Sequence, residues 1–451
     1  MFDSVKKILS LKKPKLMTVE EKSALGGSIF FDTKGRAFSY VNSALQYFSY
    51  YSYVAPVGDA INKIANSSCS IKIMPYSKGD KQSYKVVIDN PFFKKLQNPN
   101  PQQTRSDFFK DFYIDYLVSG NHYLYVSVNF KNEILELHNL CPTAICVEEN
   151  AFGNISRYTY NKNHTGVEMS FSKESVKIHG KTYELFKERN KNAYLFHFKE
   201  PSKNPKFTKS FGDSKLQSVQ LEAEQYLEAS RYNTNVILNG FNAKILLSPK
   251  EELRMTSDQH AKVKEELSNF YSGSNNSGNN VMLPKIPMTA QFIGYNSKDM
   301  DFKELMQRMR VAVYNCNNIP LPMVEGEYTS NANMKESDLQ FYDKAVIPLI
   351  DVTSERLFKI YDIFYDDNTI VKFDFDKSAI PALQERMIKN AVDLTKTGAI
   401  TKNENREYLG LGRVEGGADA LFIDGNSIPI AGDISFVNSL STTIRDITTA
   451  N

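Results

Sequence analysis

Asp374 and Asp376 alternate along TIVKFDFD, a run patterned as a β-strand, and so share one face of it. Two carboxylates at that spacing can bind a divalent cation, but such a site needs further oxygen ligands and no acidic cluster lies nearby in the sequence. A solvated strand face is the plainer reading, and a metal-dependent nuclease has little to rest on. The six histidines, at 122, 138, 164, 179, 197 and 260, fall mainly in strands or loops, and none has a cysteine or carboxylate at metal-ligand spacing. His197, between Phe196 and Phe198, reads as a sheet histidine. GLGRVEGG at 410–417 has the look of a dinucleotide loop, but its third glycine is misplaced and it follows a helical run instead of a strand. No P-loop, HExxH or GxSxG pattern occurs. The expectation is a protein that is not an enzyme and uses no metal or cofactor.

Two features could meet nucleic acid. FKEPSKNPKFTKSFGDSK gathers Lys199, Lys203, Lys206 and Lys209 in one loop, which can be a solvated loop or a phosphate contact. The helical runs broken at Gly398–Thr401 could form a helix-turn-helix with ENREYLG as recognition helix, although that segment is more acidic than base reading favours. The formal net charge is only +3, so any grip on nucleic acid is local or loose. Four scattered cysteines, at 69, 141, 146 and 316, form neither a zinc pattern nor a disulfide framework and read as reduced thiols. No apolar run approaches the roughly 18 residues that span a bilayer, and MFDSVKKILSLKKPKLM reads as a basic arm instead of a secretory signal. A protein made and used inside a cell or an assembly is expected.

The elements that would position these residues are α+β. A weakly patterned arm (1–50) precedes a short helix bearing Val57, Ile61 and Ile64 and a strand bearing Cys69, Ile71 and Ile73. After the turn NPNPQQ, Thr104 or Ser106 can cap a helix with Phe108, Phe109, Phe112, Tyr116 and Leu117 on one face, and Gly120 can end it. β-rich runs follow, with a hairpin signal at Lys131–Asn132. The period changes after Gly212. DSKLQSVQLEAEQYLEASRYNTNVIL, with Asp213 as expected N-cap, and DMDFKELMQRMRVAVYNCNN both hold helical period, and between them lies a strand–helix–strand insertion with the polar tip SGSNNSGNN. Two long helices carrying a small module describe a stalk with a knob. NIPLPMVEGEYTSNANMKES then interrupts the helices, before a long helix containing Pro348, where a kink is expected. Gly398 ends a further helix, and Thr401 with Glu404 makes a capping box for the next.

The order of these segments resembles the portal (head–tail connector) family of tailed bacteriophages, over roughly residues 54–425. The likeness is carried by Asn98-Pro99-Asn100 and Gly120-Asn121; by Leu137, Leu140 and Pro142; by His197, Gly212, Ser214 and Leu216; and by NIPLPMV, AVIPLI and TGAITKNENREYLGL. Each motif alone is weak, but their order is specific. His122 stands where a small residue is common in the family, and the lysine loop before Gly212 is longer than usual.

The resemblance implies a fold of α/β wing (51–210), first stem helix (211–240), α/β clip (241–298), second stem helix (299–318), tunnel loop (319–337), kinked helix and wing strand (338–378), crown (379–425) and tail (426–451). It implies a dodecameric ring at a capsid vertex of the virion, assembled in the host cytoplasm, through which double-stranded DNA is packaged and ejected. The implied partners are the large terminase, then the head–tail adaptor, with major capsid protein and scaffold around the ring; no membrane is involved. Met323, Val324, Tyr328, Asn331, Asn333 and Lys335 become the expected tunnel-loop residues. Lys203, Lys206 and Lys209 become expected phosphate contacts, and Ser272, Asn275, Asn276 and Asn279 the expected clip docking residues. A DNA-processing enzyme, a helix-turn-helix regulator and a scaffold that forms no ring remain the competing readings.

Overall fold

The computed structural model describes residues 29–31, 37–78, 84–149, 154–161, 168–202, 210–238, 245–249, 256–258, 261–262, 265, 288–292, 302–324, 331–365, 369–414, 422–423 and 428–429. The chain divides into two compact units, Met1–Asn66 with Asn98–Leu321, and Ser67–Gln97 with Pro322–Asn451.

In the first unit, β1 (Ile29–Phe31) and β2 (Ala37–Ser39) pair antiparallel and lead into α1 (Tyr40–Tyr53). The sequence reading left this helix inside an unpatterned arm. Ala44, Tyr47 and Tyr50 are in fact buried at a spacing of three, a stripe obscured by the surrounding serines and tyrosines. α2 (Ala55–Ser70) buries Val57, Ile61 and Ile64 as expected. It also takes in Cys69, which was expected in a strand, because nothing after Gly58 breaks the helix and the Ser70 hydroxyl caps back onto the Ser67 carbonyl (2.7 Å). The next strand, β3 (Ile73–Lys78), belongs to the second unit with β4 (Tyr84–Val86) and α3 (Pro91–Gln97).

The chain returns as α4 (Arg105–Ser119), which opens on a capping box of Thr104 and Asp107 and ends at Gly120 with φ of 72°. Its expected apolar face is buried, with Tyr113 added. Seven strands follow: β5 (Asn121–Val128), β6 (Ile134–Leu140), β7 (Ile145–Glu149), β8 (Ile155–Asn161), β9 (Glu168–Ile178), β10 (Lys181–Glu188) and β11 (Ala193–Lys199). They form one antiparallel sheet in the order β6-β5-β11-β10-β9-β8-β7, around Tyr123, Tyr158, Phe171 and Leu195. Asn132 (φ 62°) supplies the left-handed residue of the β5–β6 hairpin, as its type suggested. The Asn-Pro-Asn turn covers the outer edge of β6. The Leu137 N–H donates to the Pro99 carbonyl (2.9 Å), and Asn100 Nδ2 donates to the Leu137 carbonyl (3.0 Å).

His122 lies wholly buried between Phe112 and Phe198, and burial pulls its pKa down to about 3, so the ring is neutral. Beyond the sheet, a 3₁₀ turn (Lys215–Val219) runs into α5 (Gln220–Leu238). The strands β12 (Ile245–Pro249) and β13 (Met288–Phe292) pair antiparallel, and α6 (Phe302–Cys316) packs back along α5. The cap of this stalk is Ser214, not Asp213. Ser214 Oγ accepts from Leu216 N (3.0 Å), whereas Asp213 accepts from the Ser202 hydroxyl (3.2 Å).

In the second unit, α7 (Asn331–Phe341) continues through a π turn (Tyr342–Val346) into α8 (Ile347–Phe364). α8 packs on β14 (Ile370–Phe375), the outer strand of a three-stranded sheet ordered β14-β3-β4. Phe92, Phe358, Tyr361 and Phe373 interlock there, and Asn90 Nδ2 donates to the Tyr361 hydroxyl (3.1 Å). α9 (Pro381–Lys396) and α10 (Lys402–Tyr408) are joined through Gly398 (φ 66°) and the expected Thr401–Glu404 capping box. β15 (Phe422–Ile423) and β16 (Ile428–Pro429) form a short pair.

Candidate functional site

The motif residues Gly120, Asn121, His197, Gly212 and Ser214, scattered over 95 positions of sequence, converge on one point at the root of the stalk. Gly120 must be glycine twice over, because its φ is positive and a Cβ there would sit 2.4 Å from the Asp213 carbonyl oxygen. A Cβ on Gly212 would meet the Gly120 oxygen at 2.3 Å and the Glu200 nitrogen at 2.5 Å. Two stretches of backbone thus touch directly, and the buried Asn121 side chain fastens them. Its Oδ1 accepts from Gly212 N (2.7 Å), while Nδ2 donates to the carbonyls of Gly212 (2.8 Å) and Ser119 (2.9 Å).

His197 Nε2 lies 2.9 Å from the same Oδ1 and must carry the proton, since that oxygen only accepts. Nδ1 is then the acceptor for the Tyr158 hydroxyl at 3.0 Å, and the imidazole stacks on Tyr123. Ser214 Oγ completes the root by donating to the Val118 carbonyl (2.6 Å). Tyr158 and Ser119 were not singled out in the sequence; nothing in their local pattern marks a partner so far along the chain.

The stalk comes back to the same root. Buried Ala223 and Ala229 on α5 let α6 approach with Met309, Val313 and Tyr314. At its end Cys316 Sγ donates to the Lys215 carbonyl (3.2 Å). Tyr314 donates to Asp59 on α2 (2.6 Å), and Lys63 pairs with the same carboxylate oxygen (3.0 Å). Burial works to raise the Asp59 pKa, but the Tyr314 hydrogen bond, Lys63 and Arg310 outweigh it and hold the carboxyl below its usual range. The Tyr314 phenol is pushed up to about 12, first by burial and then by Asp59. The prolines of NIPLP follow the helix end instead of making it. Asn318 adopts the left-handed conformation (φ 55°), and the buried Ile319 donates its N–H back to the Tyr314 carbonyl (3.0 Å).

Of the expected loop residues, Met323 and Val324 are half-buried just after that turn, in and beside a single 3₁₀ turn, Leu321–Met323. Tyr328 lies outside the described residues. The loop is shorter than expected, because α7 already begins at Asn331: Ala332, Met334, Lys335 and Glu336 are strong helix formers with no glycine or proline among them. Asn331, Asn333 and Lys335 are therefore helical. Lys335 is exposed and ion-paired to Glu385 (2.9 Å), and the Asn333 carbonyl accepts from Ser337 (2.7 Å). Arg386 on α9 grips Asp343 in the π turn with both Nη atoms, beside a cavity of about 420 Å³ lined by Leu383, Met387 and Tyr408. Lys203, Lys206 and Lys209, and the clip residues Ser272, Asn275, Asn276 and Asn279, lie outside the described residues.

The competing sites are occupied by their own chain. Asp374 accepts from Lys372 (2.6 Å) and from its neighbour's N–H (2.8 Å), and Asp376 caps Ser378. Among the described residues no three metal-ligating side chains group together. α10 has only seven residues. Its Arg406 holds the Gly412 carbonyl (2.7 Å), Glu407 pairs with Arg413, and Asn403 exchanges two hydrogen bonds with Val414. The side chains of α10 that would read bases are thereby spent within the chain, while residues 415–417 of the glycine-rich loop lie outside the described residues.

This architecture, a sheet body carrying a two-helix stalk through a rigid root, defines a structural subunit and not a catalytic cleft. The chain belongs to the phage portal protein family, whose profile matches residues 56–410. That family is a structural, non-enzymatic capsid component. Uncharacterized proteins of Rickettsia bellii (strain RML369-C) and Rickettsia felis (strain ATCC VR-1525 / URRWXCal2) are each 24% identical to it, over 79% and 78% of this chain and 86% and 85% of theirs. The fold is similar to that in the neck of an empty GTA particle (TM-score 0.56, 19% identity, 86% of this chain and 97% of that one). It is likewise similar to that in the neck of a native GTA particle computed with C12 symmetry (TM-score 0.55, 18% identity, 87% and 98%). Among the described residues no helix is long and apolar enough to cross a membrane.

Two outcomes follow from the root and the stalk. Gly212→Ala, which forces two backbones apart, costs on the order of 3 kcal/mol or more and lowers the thermal midpoint measured by calorimetry. Asp59→Asn costs about 1 kcal/mol at neutral pH. Because the folded Asp59 pKa is depressed, its contribution is present above the unfolded value near 4 and is lost as pH falls through the folded value. Denaturation curves of wild type and Asp59→Asn should therefore converge below about pH 4.

Proposed function

We propose that twelve copies of this chain close into a ring at one capsid vertex and that double-stranded DNA passes through the bore during packaging and ejection. The observation that carries the reading is the stalk. α5 leaves and α6 returns at one root, with Cys316 beside Lys215, so the β12–β13 pair stands at the far end of two antiparallel helices. At 1.5 Å per residue the 19 residues of α5 make a rod of about 28 Å. Such a stalk, exposing Leu221 and Tyr232 on α5 and Leu305 on α6, suits packing against identical stalks around an axis. The C12 symmetry computed for the neck that contains the similar chain supports the ring number.

A bore that passes a polyanion in both directions works best with weak contacts, because each neutralised phosphate adds affinity and hence drag. A net charge of +3 in 451 residues, and a Lys335 already paired with Glu385, suit that demand. In this reading the 241–298 module docks the large terminase and later the head–tail adaptor, through Ser272, Asn275, Asn276 and Asn279. Met323, Val324, Tyr328, Asn331, Asn333 and Lys335 border the DNA, and Lys203, Lys206 and Lys209 touch phosphate. Major capsid protein and scaffold surround the ring.

Electron microscopy of the purified chain tests the ring: closed rings are expected, and a population without them under every assembly condition sinks the reading. Deleting residues 325–330, which leaves the start of α7 intact, should spare the rings and impair packaging or retention of the genome. Normal genome-filled heads from that deletion would remove the loop's role.

A further inference from the structure

We infer that α9 joins neighbouring copies through a ridge on one flank and a cavity on the other, Ile388 and Val392 of one copy seating in the cavity floored by Leu383, Met387 and Tyr408 of the next. The inference rests on the ring reading and names one surface through which the ring closes.

α9 has little of its own chain to pack on. Of its 16 residues only Leu383 and Ala391 are buried, whereas α8 buries eight of its 18. A helix of this length draws most of its stability from the apolar face it covers. Yet Ile388 and Val392, one turn apart on a single stripe, are 54% and 44% exposed. Scattered apolar side chains on a surface are ordinary, but two branched ones stacked on so thinly covered a helix mark a face that meets a partner.

The opposite flank of the same helix is hollow. Arg386 and Asn390 stand two residues either side of Ile388, about 160° from it around the axis at 3.6 residues per turn. Both line the cavity of about 420 Å³ that has Leu383, Met387 and Tyr408 as its apolar floor. A cavity of about 150 Å³ already holds a benzene ring, so this one has room for the ends of an isoleucine and a valine. Its cations are engaged by their own chain. Arg386 takes the Asp343 carboxylate with both Nη atoms, and Lys377 Nζ lies 5.9 Å over the Phe375 ring. The floor is what remains for a visitor.

A ridge and a cavity on opposite flanks of one helix decide the occupant. A two-fold contact presents the same surface of both copies, and two surfaces that face away from each other cannot both lie in it. An apolar projection that fits a pocket elsewhere on the same molecule makes a head-to-tail contact instead. Rotation about the ring axis repeats that contact until every ridge is covered and every cavity filled. The occupant is a second copy of this chain.

Two exposed positions test this in the full chain. Ile388→Asp, which puts a charge on the ridge, and Asn390→Trp, which fills the cavity from its wall, should each raise the concentration needed for ring assembly about tenfold or more. Circular dichroism checks that both variants remain folded. Cysteine pairing then reads the direction of the contact, with wild type setting the background from the exposed Cys141. On a non-reducing gel after oxidation, Ile388→Cys alone and Asn390→Cys alone should stay monomeric, an equal mixture of the two should stop at dimers, and the double variant should run as a ladder. The two side chains diverge on one helix, so they cannot bridge within a copy. Normal ring assembly by both bulky variants, dimers from Ile388→Cys alone, or a double variant without the ladder would overturn the inference and leave the ring reading standing. A ridge covered by the chain's own tail or by a different protein gives that last result. A folded wild-type chain that forms no rings would remove both.

Discussion

The Asn121 side chain makes four hydrogen bonds in a space where two glycine backbones are already in contact, and the orientation of the stalk on its sheet depends on that arrangement. An amide is the one side-chain type that fits. An aspartate would turn oxygen lone pairs toward the Ser119 and Gly212 carbonyls, and a glutamine would need room that the touching backbones do not leave. Because the site is buried, each bond is stronger than it would be in water and each loss is correspondingly costly. His197 extends the network, since accepting from Tyr158 and donating to Asn121 fixes one neutral tautomer. The stalk therefore leaves the sheet as a rigid extension, which a lever or a ring wall both require.

The second unit solves a different problem, a proline within a long helix. Pro348 has no N–H to offer the Lys344 carbonyl. The chain widens by one residue into the Tyr342–Val346 π turn, so that the Ile347 N–H reaches the Tyr342 carbonyl and the helix continues. The sequence reading expected a kink at this proline, and the helix carries a π turn just before it, which together with proline is among the identifiable sources of a helix kink. That turn is where Arg386 takes hold of Asp343. The planar guanidinium meets the carboxylate with two bonds and so fixes orientation as well as distance.

What was legible in the sequence was local chemistry. A cap at Thr104 or Ser106, the Thr401–Glu404 capping box, the helix ends at Gly120 and Gly398, the hairpin at Lys131–Asn132 and the apolar face of α4 were readable, because each depends on residues within a few positions. Failures came where a signal was diluted or distant. α1 was hidden because its buried stripe is made of tyrosine and alanine among serines. Asp213 was preferred to Ser214 as cap because both residue types can cap, and only the fold gives Ser214 a carbonyl of Val118 to hold. The root itself was present as motif letters, yet its four-bond geometry joins residues up to 91 apart, which no local pattern reports.

The same geometry explains why residues that could do chemistry do none. A histidine, a carboxylate or a glycine-rich loop becomes reactive or ligand-binding only where some of its bonding capacity is left open. Here His197 is held on both nitrogens, Asp374 and Asp376 are spent on Lys372 and a helix cap, and the 410–414 segment bonds back to α10. His122, its Nδ1 3.7 Å from an Asp115 oxygen, is sealed between aromatic rings and kept neutral by burial. The polar groups of this chain are invested in holding elements at fixed angles, and in a ring any error in those angles would accumulate from one copy to the next until the circle failed to close. In the proposed ring, rigidity at the root would be a condition of closure as well as of subunit stability.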